Sequence, residues 1–174
     1  MITAPILKNG IQTHVPDGVK LLRGATMIAG VQVVPLRRFA DDRGTVMHML
    51  KESDAHFTRF GEIYFSTVYA GVVKGWHKNN GKGLNYACVH GRIKNALFDD
   101  REDSSTRGNL MEIYLGPDSY HLLVIPPGVW NGFKGMSDLS VVANCATHAH
   151  TNVQMDRMDP FANSVGYDWA QKHN

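Results

Sequence analysis

The chain has 174 residues, of which 43% are hydrophobic and 20% charged, and 18 Lys plus Arg against 16 Asp plus Glu give a formal net charge of +2. This size and composition exclude a disordered chain, and a charge this small without a basic stripe gives no indication of nucleic-acid binding. No apolar run reaches the about 20 residues of a membrane span, no signal peptide is recognisable, and two cysteines cannot form a disulfide framework. We therefore expect one cytoplasmic domain over 1–174, without nucleic-acid or membrane partners.

Short apolar runs follow one another along the chain, separated by 17 glycines and seven prolines, a pattern typical of an all-β protein. Eight or more short antiparallel strands favour a sandwich or a jelly-roll barrel. We expect the barrel over roughly 30–150, with 151–174 packing on it and a short helix at 51–60. The predicted strands are 30–39, 45–50, 62–69, 84–91, 92–100, 110–116, 120–127 and 139–150.

The last predicted strand, 139–150, has polar side chains among the alternate residues that form one of its faces. Period-two alternation places Asn144, His148 and His150 on one face, and a barrel of about eight strands has room inside for one small ligand. His148 and His150 resemble part of a zinc or iron site, but nothing fixes a third ligand. Two surface histidines near a strand end are the alternative.

His77 follows an apolar run and precedes a Gly/Asn turn, which predicts a position at a strand end near the barrel mouth. A histidine in this place can be a general base near neutral pH, and it needs a partner that fixes its tautomer. Asp159 and Asp99 are the candidate partners. A solvated loop with an ordinary histidine is the alternative. Three lysines nearby could hold a phosphate or an oxyanion: Lys74, Lys78 and Lys82.

The segment 124–133 contains a Pro-Pro-Gly turn followed by two aromatic residues. We expect Trp130 and Phe133 to belong to the core and Asn131 to lie near the barrel mouth. We further expect His77 and two strand asparagines, Asn85 and Asn144, to point into the barrel.

An ordered set of motifs resembles the dTDP-4-dehydrorhamnose 3,5-epimerase family, whose members are cupin-fold enzymes. These motifs are FADDRG (39–44), GVVKGWH (71–77), Gly91 with Asp99 and Arg101, IPPGVWNGF (125–133), MDP (158–160) and YDW (167–169). The resemblance implies an all-β, cupin-type antiparallel jelly-roll barrel with short peripheral helices. It also implies a nucleotide-linked 4-keto-6-deoxyhexose as the substrate class and a homodimer that exchanges strands, here through the N-terminal segment.

The resemblance assigns roles to residues of this chain. It makes His77 the base, hydrogen-bonded to Asp159, which would raise the pKa of His77. Lys82 or Lys74 would face the enolate oxygen, and His148 would be a substitute acid. Substrate contacts are expected at Arg43, Glu62, Tyr64, Lys74, Asn85, Asn131 and Asn144.

Several family positions carry other residues here. The arginine of the family's RGLH motif is Lys74, its lysine position is Leu84, its two acid-providing tyrosines are Ala143 and Ala149, and its later histidine is Asn131; a glutamine and an asparagine are Glu62 and Tyr64. The usual cupin metal set is broken as well, so we expect no metal and no cofactor.

These departures leave more than one function open. The first is an epimerase or isomerase for a nucleotide-linked keto-deoxysugar in bacterial surface-polysaccharide biosynthesis, such as that of the lipopolysaccharide O-antigen, without efficient 3,5-epimerisation. The second is a catalytically impaired cupin that binds a sugar nucleotide or a partner without turnover. The third is a metal-dependent cupin.

Overall fold

The computed structural model describes residues 7–151 and 154–170, and all regular secondary structure within those ranges is β. The strands are β1 (Leu7–Lys8), β2 (Ile11–Gln12), β3 (Val19–Arg23), β4 (Gln32–Pro35), β5 (Arg38–Asp41), β6 (Gly44–Met47), β7 (Glu62–Tyr69), β8 (Val73–Asn79), β9 (Leu84–His90), β10 (Ile93–Asp99), β11 (Leu110–Leu115), β12 (His121–Ile125), β13 (Val129–Gly135), β14 (Leu139–Ala146) and β15 (Met155–Arg157).

Two antiparallel sheets face each other. The larger has the order β15-β8-β13-β10-β11-β3 and the smaller β4-β12-β9-β14-β7, while β1-β2 and β5-β6 form separate hairpins. Apolar side chains from both sheets meet in one buried core, for example Leu97 and Phe133 of the larger sheet with Leu84 and Val142 of the smaller. This architecture confirms the predicted all-β jelly roll.

The predicted peripheral helices, including the one at 51–60, are wrong for the described part of the chain. Residues 51–60 form turns instead. The Asp54 carboxylate accepts a hydrogen bond from the amide of Lys51 at 2.8 Å, and the Asp54 amide donates to the Lys51 carbonyl at 3.0 Å. These local bonds satisfy the backbone without a continuing helical ladder. No helix that could span a membrane occurs in the described ranges.

Strand β8 runs through the whole segment that carries His77, so His77 lies within a strand and not in a solvated loop. A Cβ at Gly75 would lie 2.7 Å from the Gly132 Cα, so two glycines permit the close approach of β8 and β13. Alternation then directs Trp76 to the outer face of the larger sheet, where it packs among the C-terminal aromatic residues, and His77 to the inner face.

The C-terminal segment 165–169 covers this outer face. Tyr167 and Trp169 pack on Trp76 with ring centroids 5.9 and 5.2 Å away. The Tyr167 hydroxyl donates to Glu112 Oε2 at 2.6 Å, and Lys94 Nζ donates to the Trp169 carbonyl at 3.2 Å. The segment is therefore fixed directly behind the strand that carries His77.

Candidate functional site

A cavity of about 670 Å³ opens between the two sheets at one end of the barrel. The smaller sheet contributes Glu62, Tyr64, Ser66, Tyr86, Val142 and Asn144, the larger sheet contributes Val73, Lys74, Gly75, His77, Asn79, Phe133, Met155 and Arg157, and loops contribute Lys82 and His150. A volume of this size suits a small organic ligand. The sequence-based assignments of His77, Lys82, Lys74, Glu62, Tyr64 and Asn144 thus fall on one cavity.

His77 reaches the cavity from β8, and its Nε2 lies 3.4 Å from the Tyr86 hydroxyl oxygen. Burial is the largest of the effects that lower the pKa of His77 to about 4, and the nearby charges of Arg157 and Lys82 are the others. The imidazole is therefore neutral at neutral pH and keeps a lone pair for a proton. The expectation of a raised pKa was wrong, because the ring is buried and its charged neighbours are cations and not a carboxylate.

The predicted hydrogen bond between His77 and Asp159 is absent from the hydrogen bonds described for these two residues. Asp159 is exposed, and its Oδ1 accepts hydrogen bonds from the amides of Phe161 and Ala162 at 2.7 and 2.8 Å. These bonds lower the pKa of the Asp159 carboxyl. The turn after β15 engages the carboxylate in its own backbone, and Tyr86 takes the place beside His77.

The other candidate partner, Asp99, binds the loop that follows β10, and we call this group of hydrogen bonds the Asp99 clamp. Its carboxylate accepts from Arg101 Nε at 2.8 Å, from Ser104 Oγ at 2.6 Å and from Thr106 Oγ1 at 2.7 Å. Burial alone would raise the pKa of Asp99, but these hydrogen bonds outweigh it and lower the pKa to about 2. Asp99 and Arg101 of the family pattern therefore hold a loop and do not act on His77.

Lys82 lines the cavity, and its side chain is only 2% exposed. Its Nζ donates to Glu62 Oε1 at 3.2 Å and lies 3.3 Å from His150 Nδ1. Burial opposes ionisation of Glu62, but the His150 amide and Lys82 together lower its pKa. A buried ammonium group thus faces the same cavity as the neutral His77.

His148 does not line the cavity, contrary to the alternation expected for 139–150. Strand β14 ends at Ala146, so the period of two does not extend to His148, whose ring lies 3.3 Å from Arg59 Nη1 and 3.0 Å from Thr147 Oγ1. His150 lines the cavity instead. The signal for it was present, since Asn144 and His150 keep the six-residue spacing of the family tyrosines, one residue after Ala143 and Ala149.

Three further predicted contacts lie outside the cavity lining. Asn85 is buried, and its Nδ2 donates to the Cys145 carbonyl at 2.7 Å. Asn131 is also buried, and its Nδ2 donates to the His77 carbonyl at 3.2 Å, which ties β13 to the backbone of the base. Arg43 lies in the β5-β6 turn with an 85% exposed side chain that pairs with Asp41. The two asparagines are held by hydrogen bonds to backbone carbonyls, and Arg43 is held by the turn of its hairpin. The spacing of the motifs does not reveal these interactions.

Arg157 is a cavity residue that the sequence analysis missed. It lies opposite His77 in the pairing of β15 with β8, and it lines the cavity together with Lys74, whose Nζ donates to Ser66 Oγ at 3.1 Å. Among the described lining residues, the cations Lys74, Lys82 and Arg157 outnumber the carboxylate of Glu62. The cavity is thus suited to an anionic ligand. A three-residue strand such as β15 gives too short a pattern to be recognised in sequence.

Metal-ligating side chains do not assemble in the described part of the chain: no three His, Cys, Asp or Glu residues of 7–151 and 154–170 come together as a metal site. His148 and His150 separate, one towards Arg59 and the other towards Lys82.

An antiparallel jelly roll with a cationic, ligand-sized cavity between its two sheets is the architecture of a cupin-type protein. The family model for dTDP-4-dehydrorhamnose 3,5-epimerase matches residues 25–174, and the chain belongs to this family. The resemblance inferred from the ordered motifs is thereby confirmed.

Individual relatives agree with this membership. The chain is 33% identical to the "Probable low-salt glycan biosynthesis epimerase Agl13" of Haloferax volcanii, over 81% of this chain and 89% of that protein. It is 29% identical to the spore coat polysaccharide biosynthesis protein SpsL of Bacillus subtilis, over 82% and 97%. The crystal structure of a dTDP sugar isomerase from Desulfovibrio desulfuricans superposes with a TM-score of 0.80 at 37% identity, covering 86% of this chain and 98% of that one. These relatives support a role as a sugar-nucleotide epimerase.

Proposed function

We propose that this protein is an epimerase or isomerase that acts on a nucleotide-linked keto-deoxysugar in the biosynthesis of a bacterial surface polysaccharide, such as the lipopolysaccharide O-antigen. The observation that carries the proposal is the presence of the neutral His77 and the ammonium group of Lys82 in one cavity. The glycan and polysaccharide biosynthesis roles in the names of two relatives support the pathway class.

The proposed chemistry begins at a carbon next to the sugar carbonyl, where the C–H bond is acidified. The His77 imidazole takes this proton, and the electron pair of the broken C–H bond moves onto the carbonyl oxygen as an enolate. Lys82 stabilises the developing oxyanion with its positive charge, which acts strongly because the side chain is buried. Return of a proton to the other face inverts the carbon, and return to a neighbouring atom isomerises the sugar.

The diphosphate group of the nucleotide-linked sugar would bind to the cations beside His77. Lys74 lines the cavity on the same strand as His77, and Arg157 lines it from the adjacent strand β15 and supplies the guanidinium fork that Lys74 lacks. Arg157 also lowers the pKa of His77 in the free protein. A bound diphosphate neutralises that charge, so substrate binding raises the basicity of His77 when the reaction needs it.

A binder without turnover is the second candidate function. The observation that favours it is the engagement of Asp159 with its own turn, which leaves His77 with a tyrosine partner and no carboxylate to stabilise an imidazolium. Both functions require the anion-binding cavity, and they differ in whether a substrate proton is exchanged with solvent.

The test is proton exchange in deuterated water with dTDP-4-keto-6-deoxyglucose as the probe. We expect deuterium to enter at C3 or C5 with the native protein, detected by NMR, and to stop entering with His77→Ala. His90→Ala, at the exposed end of β9, is the matched control and retains exchange. Tight binding of the probe without exchange would establish the binder.

We also propose a cytoplasmic homodimer. The outer face of the edge strand β7 exposes Ile63 and Phe65 by 53% and 64%, and a second copy would cover this apolar edge. The predicted exchange of the N-terminal segment between subunits stays a prediction, and residues 1–6 of that segment lie outside the described residues. A nucleotide-linked sugar does not cross a membrane unaided, so the cytoplasm is the compartment in which we infer that the chain meets it.

A further inference from the structure

Inversion of a carbon requires an acid on the face opposite the base. His77 reaches the cavity from β8 of the larger sheet, so the acid has to come from the smaller sheet or from the loops beside it. The alanines at 143 and 149 cannot donate a proton. Besides Lys82 and the carboxylate of Glu62, the described cavity lining on that side offers three side chains with an ionisable proton: Tyr64, Tyr86 and His150.

Tyr86 and His150 are poorly suited to this task. The Tyr86 hydroxyl is already within 3.4 Å of His77, so it lies on the side of the base. Burial, with a contribution from Tyr64, raises the pKa of Tyr86 and disfavours loss of its proton. His150 Nδ1 lies 3.3 Å from Lys82 Nζ, and beside an ammonium donor this ring nitrogen accepts a hydrogen bond and has no proton to give.

Tyr64 has the surroundings of a proton donor. It lies on β7 directly opposite Asn144 of β14, and its hydroxyl oxygen accepts a hydrogen bond from Asn144 Nδ2 at 2.7 Å. Because the amide donates, the hydroxyl hydrogen of Tyr64 is not used in this bond. Lys82 Nζ lies 6.0 Å from the centre of the Tyr64 ring. The amide N–H and the ammonium charge would both stabilise the phenolate that remains after proton transfer.

Tyr64 can also recover its proton. The residue is 39% exposed and lines the cavity, so it is accessible to water. A fully buried phenolate could not be reprotonated between turnovers without a separate relay, whereas this one is restored directly by solvent.

We propose that Tyr64 is the catalytic acid opposite His77, an inference that rests on the proposed function. His77 removes the proton, and the C–H electron pair forms the enolate. The Tyr64 O–H bond then breaks, its proton binds the same carbon from the other face, and the enolate pair returns to re-form the carbonyl. The cycle closes when the His77 imidazolium releases its proton to water and the Tyr64 phenolate takes one from water.

The experiment separates removal of a proton from its return. Native protein and Tyr64→Phe are incubated with dTDP-4-keto-6-deoxyglucose in deuterated water, and the products are reduced and the sugars identified. We expect Tyr64→Phe to retain deuterium exchange at the carbon, because His77 can return a solvent-derived proton to the face from which it removed one. We expect inversion to fall by about 10²–10⁴-fold, the usual contribution of a general acid.

Tyr69→Phe is the matched control, because Tyr69 lies on the same strand with a 67% exposed side chain and outside the cavity lining. It loses a hydroxyl group in the same way and retains both exchange and inversion. Asn144→Ala keeps the Tyr64 hydroxyl but removes its donor, and it should show a smaller loss of inversion with exchange unchanged. Melting temperatures of all variants identify any loss of folding.

Normal inversion by folded Tyr64→Phe would overturn the assignment of the acid and leave the proposed function intact. So would loss of inversion in His150→Gln with Tyr64→Phe unaffected. Native protein that neither exchanges nor inverts would overturn the proposed function, and the acid with it.

Discussion

At the residue scale, the pKa of His77 determines the pH at which the protein loses its base. Because burial and two nearby cations lower this pKa to about 4, protonation of the free protein removes the lone pair only as the pH falls through that value. We expect kcat/KM to be constant from about pH 5 to neutral and to decline below it. A measured pH profile of kcat/KM with the keto-sugar probe tests this expectation.

The profile also discriminates between partners of His77. A carboxylate partner would raise the pKa of His77 above its ordinary value of 6.5, and the acidic limb of the profile would then lie near or above that pH. A limb in that region would contradict the tyrosine-paired site described above. Circular dichroism at each pH shows that the protein remains folded.

The Asp99 clamp gives a second prediction at this scale. Asp99→Asn removes the negative charge from a fully buried group and leaves Arg101 without its ionic partner, so we expect a loss of unfolding free energy of about 3 kcal/mol at neutral pH. Denaturant unfolding measures this loss. Asp103→Asn, an exposed position in the same loop, is the control and should change the stability little.

The difference between native protein and Asp99→Asn should depend on pH in a defined window. The pKa of Asp99 is about 2 in the folded protein against an ordinary value of 3.8, so its contribution is fully present above 3.8 and is lost as the pH falls towards 2. A difference that stays constant down to pH 2 would contradict the ionic origin of the stabilisation.

At the scale of elements, alternation of apolar residues predicts strands wherever one face is buried and the other is not. It predicted 62–69, which matches β7, but the expectation that Asn85 points into the barrel selected the wrong face of β9. We expected Asn85 inside the barrel because it is polar, but Leu84 and Tyr86 are the residues that lie there. Polarity alone could not reveal that a buried asparagine side chain bonds a neighbouring backbone.

The sequence pattern predicted that a strand ends near His77 and did not predict the full length of β8. Its two faces are both buried in part, one beneath the C-terminal segment and the other against the cavity, so no simple alternation marks it. Contacts between residues far apart in sequence, such as Trp76 with Trp169, cannot be derived from local patterns. The candidate base was identifiable from its motif, whereas Arg157 and His150 required the three-dimensional arrangement.

The C-terminal segment gives a prediction at the element scale. Trp169→Ala removes an indole that is 2% exposed and packs on Trp76, so we expect a loss of about 3–5 kcal/mol in unfolding free energy. We also expect reduced exchange activity, because Trp76 is the neighbour of His77. Phe161→Ala, a 75% exposed aromatic residue between β15 and this segment, is the control. Equal stability of the two variants would show that the segment does not support the sheet.

At the scale of the whole molecule, the edge of the smaller sheet predicts the state of assembly. Strand β7 is the last strand of that sheet, and its outer face carries the exposed Ile63 and Phe65. We expect light scattering at micromolar concentration to give about twice the monomer mass of 19.3 kDa.

Phe65→Asp places a charge in the contact that a second copy would make, and burial of that charge without a partner is strongly unfavourable. The Phe65→Asp variant should therefore have the monomer mass and keep its fold. Phe161→Asp is the control, because Phe161 is also an exposed phenylalanine but is distant from β7 in sequence. This control should have the mass of the native protein. A native mass of 19.3 kDa, or a Phe65→Asp variant that still pairs, would contradict association through β7.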